Sequence, residues 1–200
     1  MKKLPIFLLV DTSGKMLDER IAIVNMWIHG LFKGMREDPY CLEIMNLSLA
    51  TYGSKLEVLS IFTEIALIEI PVFESKASTP ALLGNALDSL SVVLENLLTE
   101  SDFRNDFYSP RLLILTGGKP SDVATTSDLF KSLRSKWGTK ISVGVTTKKL
   151  IPFYESLLEG NLYGSADVVM DLHSPPPKEF FSHFLFGFVE DDVSDGQSWH

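Results

Sequence analysis

The stretch Leu4 to Met16, with the sequence LPIFLLVDTSGKM, decides the fold class of this chain. Its first seven residues are apolar without alternation, which is typical of a strand covered on both faces. The run ends at a carboxylate, a hydroxyl and a glycine, and a helical pattern follows. Because an open α/β sheet has its binding crevice at the carboxyl ends of its strands, we expect Asp11 and Ser13 to lie in the functional site.

Outward from this stretch, the chain alternates between strand and helix patterns. Strands are predicted over 4–10, 42–52, 56–62, 111–116, 140–146 and 168–170, and helices over 18–36, 81–98, 121–137, 150–158 and 177–188. The turn at 53–55 makes the second and third strands an antiparallel pair, and 65–72 is a connector or a further strand. This order predicts an α/β fold, a doubly wound and mostly parallel sheet with one antiparallel strand and helices on both faces. We expect a single domain over 1–189 and a flexible acidic tail over 190–200.

Composition excludes several classes of function. A net charge of −8 and a pI near 5.0 argue against binding to nucleic acid, which needs a clustered basic surface. The single Cys41 excludes an internal disulfide and a multi-cysteine zinc site, and it is typical of a reducing compartment. No segment approaches the roughly 20 apolar residues of a membrane span. We therefore expect a cytoplasmic protein that binds neither nucleic acid nor membrane.

Three motifs carry a resemblance to a known family. They are LLVDTSGKM at 8–16, REDPY at 36–40 and LTGGKPSD at 115–122. Together with the antiparallel excursion, they resemble the von Willebrand factor A (vWA) domain over nearly the whole chain, in its bacterial tellurite-resistance (TerY-like) form. The resemblance implies a Rossmann-like fold, no enzymatic activity, and a metal-ion-dependent adhesion site whose Mg²⁺ or Mn²⁺ is completed by a partner's carboxylate. It also implies that the protein interacts with protein kinase or phosphatase partners in stress or defence signalling.

The chain departs from the family's ligand pattern. Asp11 and Ser13 match the first two ligand positions, but Lys15 replaces the second serine, Ala81 replaces the threonine and Gly117 replaces the aspartate. A dication beside an ammonium, with one carboxylate to hold it, is electrostatically unfavourable. We therefore expect no cofactor and a degenerate adhesion site.

Two interpretations of Lys15 remain open at this stage. Its ammonium takes the place of the ion and pairs with Asp11, or it points into solvent. A metal site would need Thr79, or Ser78, from a shifted loop beside Asp11 and Ser13.

The leading hypothesis is a protein-interaction adaptor that recognises an acidic side chain of its partner. Its binding face would comprise Asp11, Ser13, Lys15, Thr79, Gly117 and Lys119. The phenylalanine-rich segment 179–188 is the second candidate surface. Two alternatives are a Mg²⁺- or Mn²⁺-dependent adhesion module that uses Asp11, Ser13 and Thr79, and an α/β enzyme of nucleotide or phosphate chemistry. We assign no catalytic residue, because no general base is placed to activate Ser13.

Overall fold

A computed structural model of the chain describes residues 2–99, 106–159 and 168–176. The described strands form one sheet of six in the order β3-β2-β1-β4-β5-β6. They are β1 (Leu4–Asp11), β2 (Met45–Tyr52), β3 (Leu56–Glu64), β4 (Arg111–Thr116), β5 (Lys140–Val145) and β6 (Val168–Asp171). All neighbouring pairs are parallel except β2 and β3, which are antiparallel. The predicted fold class is therefore confirmed.

Helices cover both faces of this sheet. They are α1 (Glu19–Glu37), α2 (Pro39–Ile44), α3 (Leu83–Thr99), α4 (Val123–Trp137) and α5 (Ile151–Glu159), with 3₁₀ turns at Gly14–Met16 and Lys148–Leu150. One apolar core lies between the sheet and α1 with α2, and the other lies between the sheet and α3, α4 and α5. Every residue of β1 and β4 is buried because these central strands contribute to both cores. None of the helices in the described ranges is long and apolar enough to cross a membrane.

The structure corrects one predicted boundary, the start of the second strand, and decides between the two alternatives for segment 65–72. The second strand begins at Met45 rather than at residue 42, because Pro39 and the Asp38 side chain start the short helix α2. The Asp38 carboxylate accepts hydrogen bonds from the Tyr40 and Cys41 amides at 2.8 and 3.3 Å. Segment 65–72 is a connector without strand structure. The helix predicted over 177–188 and the tail at 190–200 lie outside the described residues.

This connector returns to the carboxyl edge of the sheet along α1. The Asn25 amide nitrogen donates to the Phe73 carbonyl oxygen and its amide oxygen accepts from the Phe73 N–H, both at 2.9 Å. Further along α1, the Arg36 guanidinium donates to the carbonyl oxygens of Ile65 and Ile68 at 3.3 and 2.6 Å. The path of the connector is thus fixed by side chains of α1, and it delivers residues 76–79 to the edge where β1 ends.

We predict that Asn25→Ala lowers the free energy of unfolding by about 1–3 kcal/mol, because two partly buried backbone groups of Phe73 lose their partner. Urea denaturation followed by circular dichroism measures the change. Met26→Ala is the matched control, since the Met26 side chain is 75% exposed one position along the same helix. Equal stability of the two variants would contradict the role given to Asn25.

Candidate functional site

The site is built around the carboxylate of Asp11, which ends β1 and is fully buried. Ser13 donates its backbone N–H to Asp11 Oδ1 at 2.9 Å, and Thr116 donates its hydroxyl to Asp11 Oδ2 at 2.8 Å. Thr116 ends β4, the parallel neighbour of β1, so sheet topology brings these two side chains together. Both carboxylate oxygens therefore have a donor, as a buried charge requires.

The loop after β1 is fastened on its other side to β2 and the connector. The backbone N–H and the hydroxyl of Thr12 both donate to the Tyr52 carbonyl oxygen, at 2.8 and 3.1 Å. Gly14 donates its N–H to the Thr79 carbonyl oxygen at 2.9 Å, and Lys76 donates its N–H to the Thr12 carbonyl oxygen at 2.7 Å. Thr79 thus reaches the edge of the site through its backbone.

The orientation of the Thr79 side chain follows from its packing on Gly53. A Cβ atom added to Gly53 would lie 2.8 Å from Thr79 Cγ2, so the methyl group of Thr79 lies directly against that turn. The use of Thr79 as a metal ligand remains a prediction.

The β4–α4 loop, residues 117–122, has three successive carbonyl groups that each accept from a side chain of another element. Arg20 of α1 donates to the carbonyl oxygen of residue 117 at 3.2 Å, and Tyr154 of α5 donates its hydroxyl to that of residue 118 at 2.8 Å. The Lys15 ammonium donates to the carbonyl oxygen of residue 119. Arg20 also donates to the Lys15 carbonyl oxygen at 2.8 Å. These contacts join the β1–α1 loop to the β4–α4 loop.

Of the two open interpretations of Lys15, the pairing with Asp11 is wrong. The Lys15 ammonium contacts the Lys119 carbonyl oxygen and lies 3.5 Å from Ser121 Oγ. Within the described ranges, no ion pair of 4.0 Å or less joins it to Asp11. The alternative, an ammonium directed only at solvent, is also excluded by these contacts. The reason is the direction of the side chain, which crosses Gly118 toward the β4–α4 loop.

Two tyrosines line the inner side of the site. Burial raises the pKa of Tyr52 well above its ordinary value, and the nearby Asp11 carboxylate raises it further. Burial also raises the pKa of Tyr154, whose hydroxyl donates to the carbonyl oxygen of residue 118. Both phenols are therefore neutral at physiological pH and serve as hydrogen-bonding groups. The sequence analysis missed Tyr52, Tyr154 and Arg20. The available signal was the position of Tyr52, the last residue of the predicted strand 42–52 and therefore at the carboxyl edge of the sheet.

The residues present do not fit the divalent cation that the sequence resemblance implies. Ala81 and Gly117 supply no side-chain oxygen, and the Asp11 oxygens are taken by Ser13 and Thr116. In residues 2–99, 106–159 and 168–176, no three His, Cys, Asp or Glu side chains come together as a metal site would need. One carboxylate and one serine hydroxyl fall short of the near-octahedral oxygen set that Mg²⁺ demands.

Cys41 has no place in this site. It lies in α2, where burial, with a smaller contribution from the Asp38 carboxylate, raises the pKa of the thiol to about 12. A thiol of that pKa is protonated at neutral pH and is a poor nucleophile.

Comparison with known proteins identifies the fold. No protein-family model matches the chain, and no curated protein matches it. Solved structures do match the chain. The pilus adhesin SpaC from Lactobacillus rhamnosus GG aligns with a TM-score of 0.61 and 13% identity over 98% of this chain and 30% of that chain. Proximal thread matrix protein 1 from the mussel byssus gives 0.59 and 11%, over 92% and 47%.

A third solved structure, the manganese-loaded TRAP protein of Plasmodium vivax, gives a TM-score of 0.56 and 15% identity over 86% of this chain and 70% of that chain. At these identities the similarity is one of fold, and the fold is that of the vWA domain, as the sequence resemblance implied. The chain spans less than half the length of the pilus adhesin and the byssus protein.

We predict that titration with Mn²⁺ or Mg²⁺ gives no binding heat, because the donor set around Asp11 is incomplete and already hydrogen-bonded. Isothermal titration calorimetry of the wild type and of Lys15→Ser tests this, since the substitution removes the ammonium but adds only one hydroxyl. Micromolar binding by the wild type would show that the loop at Thr79 shifts to complete a site.

Proposed function

We propose that this chain is a non-enzymatic protein-interaction adaptor of vWA type with a degenerate metal-ion-dependent adhesion site. The observation that carries the proposal lies at the carboxyl edge of the sheet, where both oxygens of the buried Asp11 carboxylate accept internal hydrogen bonds and the Lys119 side chain is exposed. An arrangement of this kind is suited to recognition of another protein and not to chemistry on a small substrate.

Lys119 is the cation best placed to meet a partner. The residue is exposed, and its ammonium lies 4.6 Å from the centre of the Phe153 ring. Its own carbonyl oxygen is held by Lys15, so the backbone that carries the side chain is fixed. An aspartate or glutamate of the partner is the complementary group. Lys15 supports this contact from behind and Thr79 is half-buried at the same edge, whereas Asp11, Ser13 and Gly117 are buried beneath the face and shape the loops that carry it.

Solved structures of the same fold support a binding role. One is named a pilus adhesin, and adhesion is a binding function. Another is a manganese-loaded protein, so a metal-dependent adhesion module remains the alternative function. The incomplete set of oxygen donors at Asp11 and Ser13 disfavours that alternative in this chain.

The finer proposal concerns the pathway. The motifs at 8–16, 36–40 and 115–122 resemble the TerY-like form, so we place the chain in a bacterial stress, tellurite-resistance or defence signalling system. Its partner would be a protein kinase or phosphatase of the same system. The single cysteine and the acidic net charge support a cytoplasmic protein that does not bind nucleic acid.

We predict that Lys119→Glu abolishes capture of the partner, because the reversed charge repels an acidic side chain. The chain is immobilised, the partner is recovered from the native host and identified by mass spectrometry, and the purified partner is then titrated against each variant. Lys33→Glu is the matched control, since Lys33 is exposed on α1, outside the proposed face. If both variants bind as the wild type does, the interface lies elsewhere, and segment 179–188 becomes the next surface to test.

A further inference from the structure

We infer that Lys15, Arg20 and Tyr154 form a carbonyl clamp that holds the β4–α4 loop against the β1–α1 loop without a metal ion. The three side chains donate to the carbonyl oxygens of residues 119, 117 and 118 respectively. They come from the 3₁₀ turn after β1, from α1 and from α5, so the loop is held from three separate elements. The inference goes beyond the proposed function, because it concerns the chain alone and holds whichever partner binds.

The two glycines of the loop are what allow the clamp to close. A Cβ atom on Gly118 would lie 2.5 Å from Lys15 Cδ and 3.1 Å from Lys15 Cβ, so the aliphatic part of Lys15 lies directly across this residue. A Cβ atom on Gly117 would lie 2.6 Å from Met16 Sδ and 3.0 Å from the Lys15 carbonyl oxygen. A Cβ atom at either position would overlap these atoms, so a larger residue at 117 or 118 would require the side chain of Met16 or of Lys15 to move.

The position at which the family has an aspartate is therefore filled by other atoms of this chain. Gly117 lacks the carboxylate, and the space beside it is taken by Met16 and by the backbone of Lys15. The loss of the family's metal ligands and the close packing at Gly117 and Gly118 belong to one arrangement. In it, side-chain donors bind backbone carbonyl groups across the two loops. Two of the three donors are cations, and a hydrogen bond from a charged donor is stronger than a neutral one.

The clamp also reaches the buried carboxylate. Gly118 donates its N–H to Thr116 Oγ1 at 3.3 Å, and the Thr116 hydroxyl donates to Asp11 Oδ2 at 2.8 Å. The loop is thus tied to the end of β1 through Thr116 while Lys15 ties it to the turn that follows. Lys15, Arg20 and Tyr154 act as positioning residues, and Lys119 is the side chain that they present.

Residue-resolved amide hydrogen exchange tests the clamp. Lys15→Met keeps the aliphatic stem across Gly118 and removes the ammonium, and Tyr154→Phe removes only the hydroxyl. For each variant we expect exchange of the Gly118 and Ser121 amides, whose N–H groups donate to Thr116 Oγ1 and to the Ala81 carbonyl oxygen, to become about tenfold faster, with β1 and β4 unchanged, because a local opening becomes easier. Lys33→Met is the matched control and leaves these amides at wild-type rates. The same measurement on the wild type is repeated with EDTA and with Mn²⁺, and we expect identical rates.

Wild-type rates in Lys15→Met and Tyr154→Phe would overturn the inference, because the loop would then be ordered without these donors. Faster exchange spread evenly over the sheet would overturn it as well, since the side chains would then act on global stability. Slower exchange of the wild-type loop in Mn²⁺ would also overturn the inference, because it would indicate that a metal ion orders the loop. None of these outcomes depends on the partner, so they are distinguishable from the failure of the binding experiment with Lys119→Glu.

Discussion

The buried carboxylate of Asp11 is the constraint on which the organisation of this edge depends. Moving a charge out of water costs roughly several kcal/mol unless hydrogen-bond donors replace its hydration. Here the donors are the Ser13 N–H and the Thr116 hydroxyl. Satisfying one oxygen fixes the turn after β1, and satisfying the other fixes the end of β4. The two loops that flank the site are thereby held in register by a single side chain.

The same constraint explains why the β4–α4 loop is arranged around its carbonyl groups. Thr116 gives its proton to Asp11, so its oxygen remains to accept the Gly118 N–H. The next carbonyl groups face Arg20, Tyr154 and Lys15, which supply donors from three elements. Leaving the two carbonyl groups that are partly removed from water, those of residues 117 and 118, without such donors would cost free energy.

Much of the fold could be predicted from the sequence because its signals are local. The uniform apolar runs of β1 and β4 follow from burial on both faces, and the helical spacing in α1 and α3 follows from burial on one. Helix α2 was missed because Pro39 and the Asp38 cap outweigh the apolar pattern that begins at Leu42. At the site, Asp11 ends β1 and Ser13 follows it at the carboxyl edge of the sheet, as the sequence pattern predicted, and their part in binding stays a prediction. The partners of Lys15 and Arg20 were not predictable, because they lie 104 and 97 residues away along the chain.

The expected Lys15–Asp11 pair shows how charge alone misleads. Opposite charges four residues apart at a turn suggest an ion pair between Asp11 and Lys15. The Lys15 side chain instead crosses Gly118, and its ammonium donates to the Lys119 carbonyl oxygen. This choice has a functional consequence. A bound metal ion offers a partner's carboxylate an open coordination position, whereas a clamp of directional hydrogen bonds offers none. In the proposed function, recognition of an acidic group therefore falls to exposed cations such as Lys119, whose attraction acts through water and weakens as salt is added.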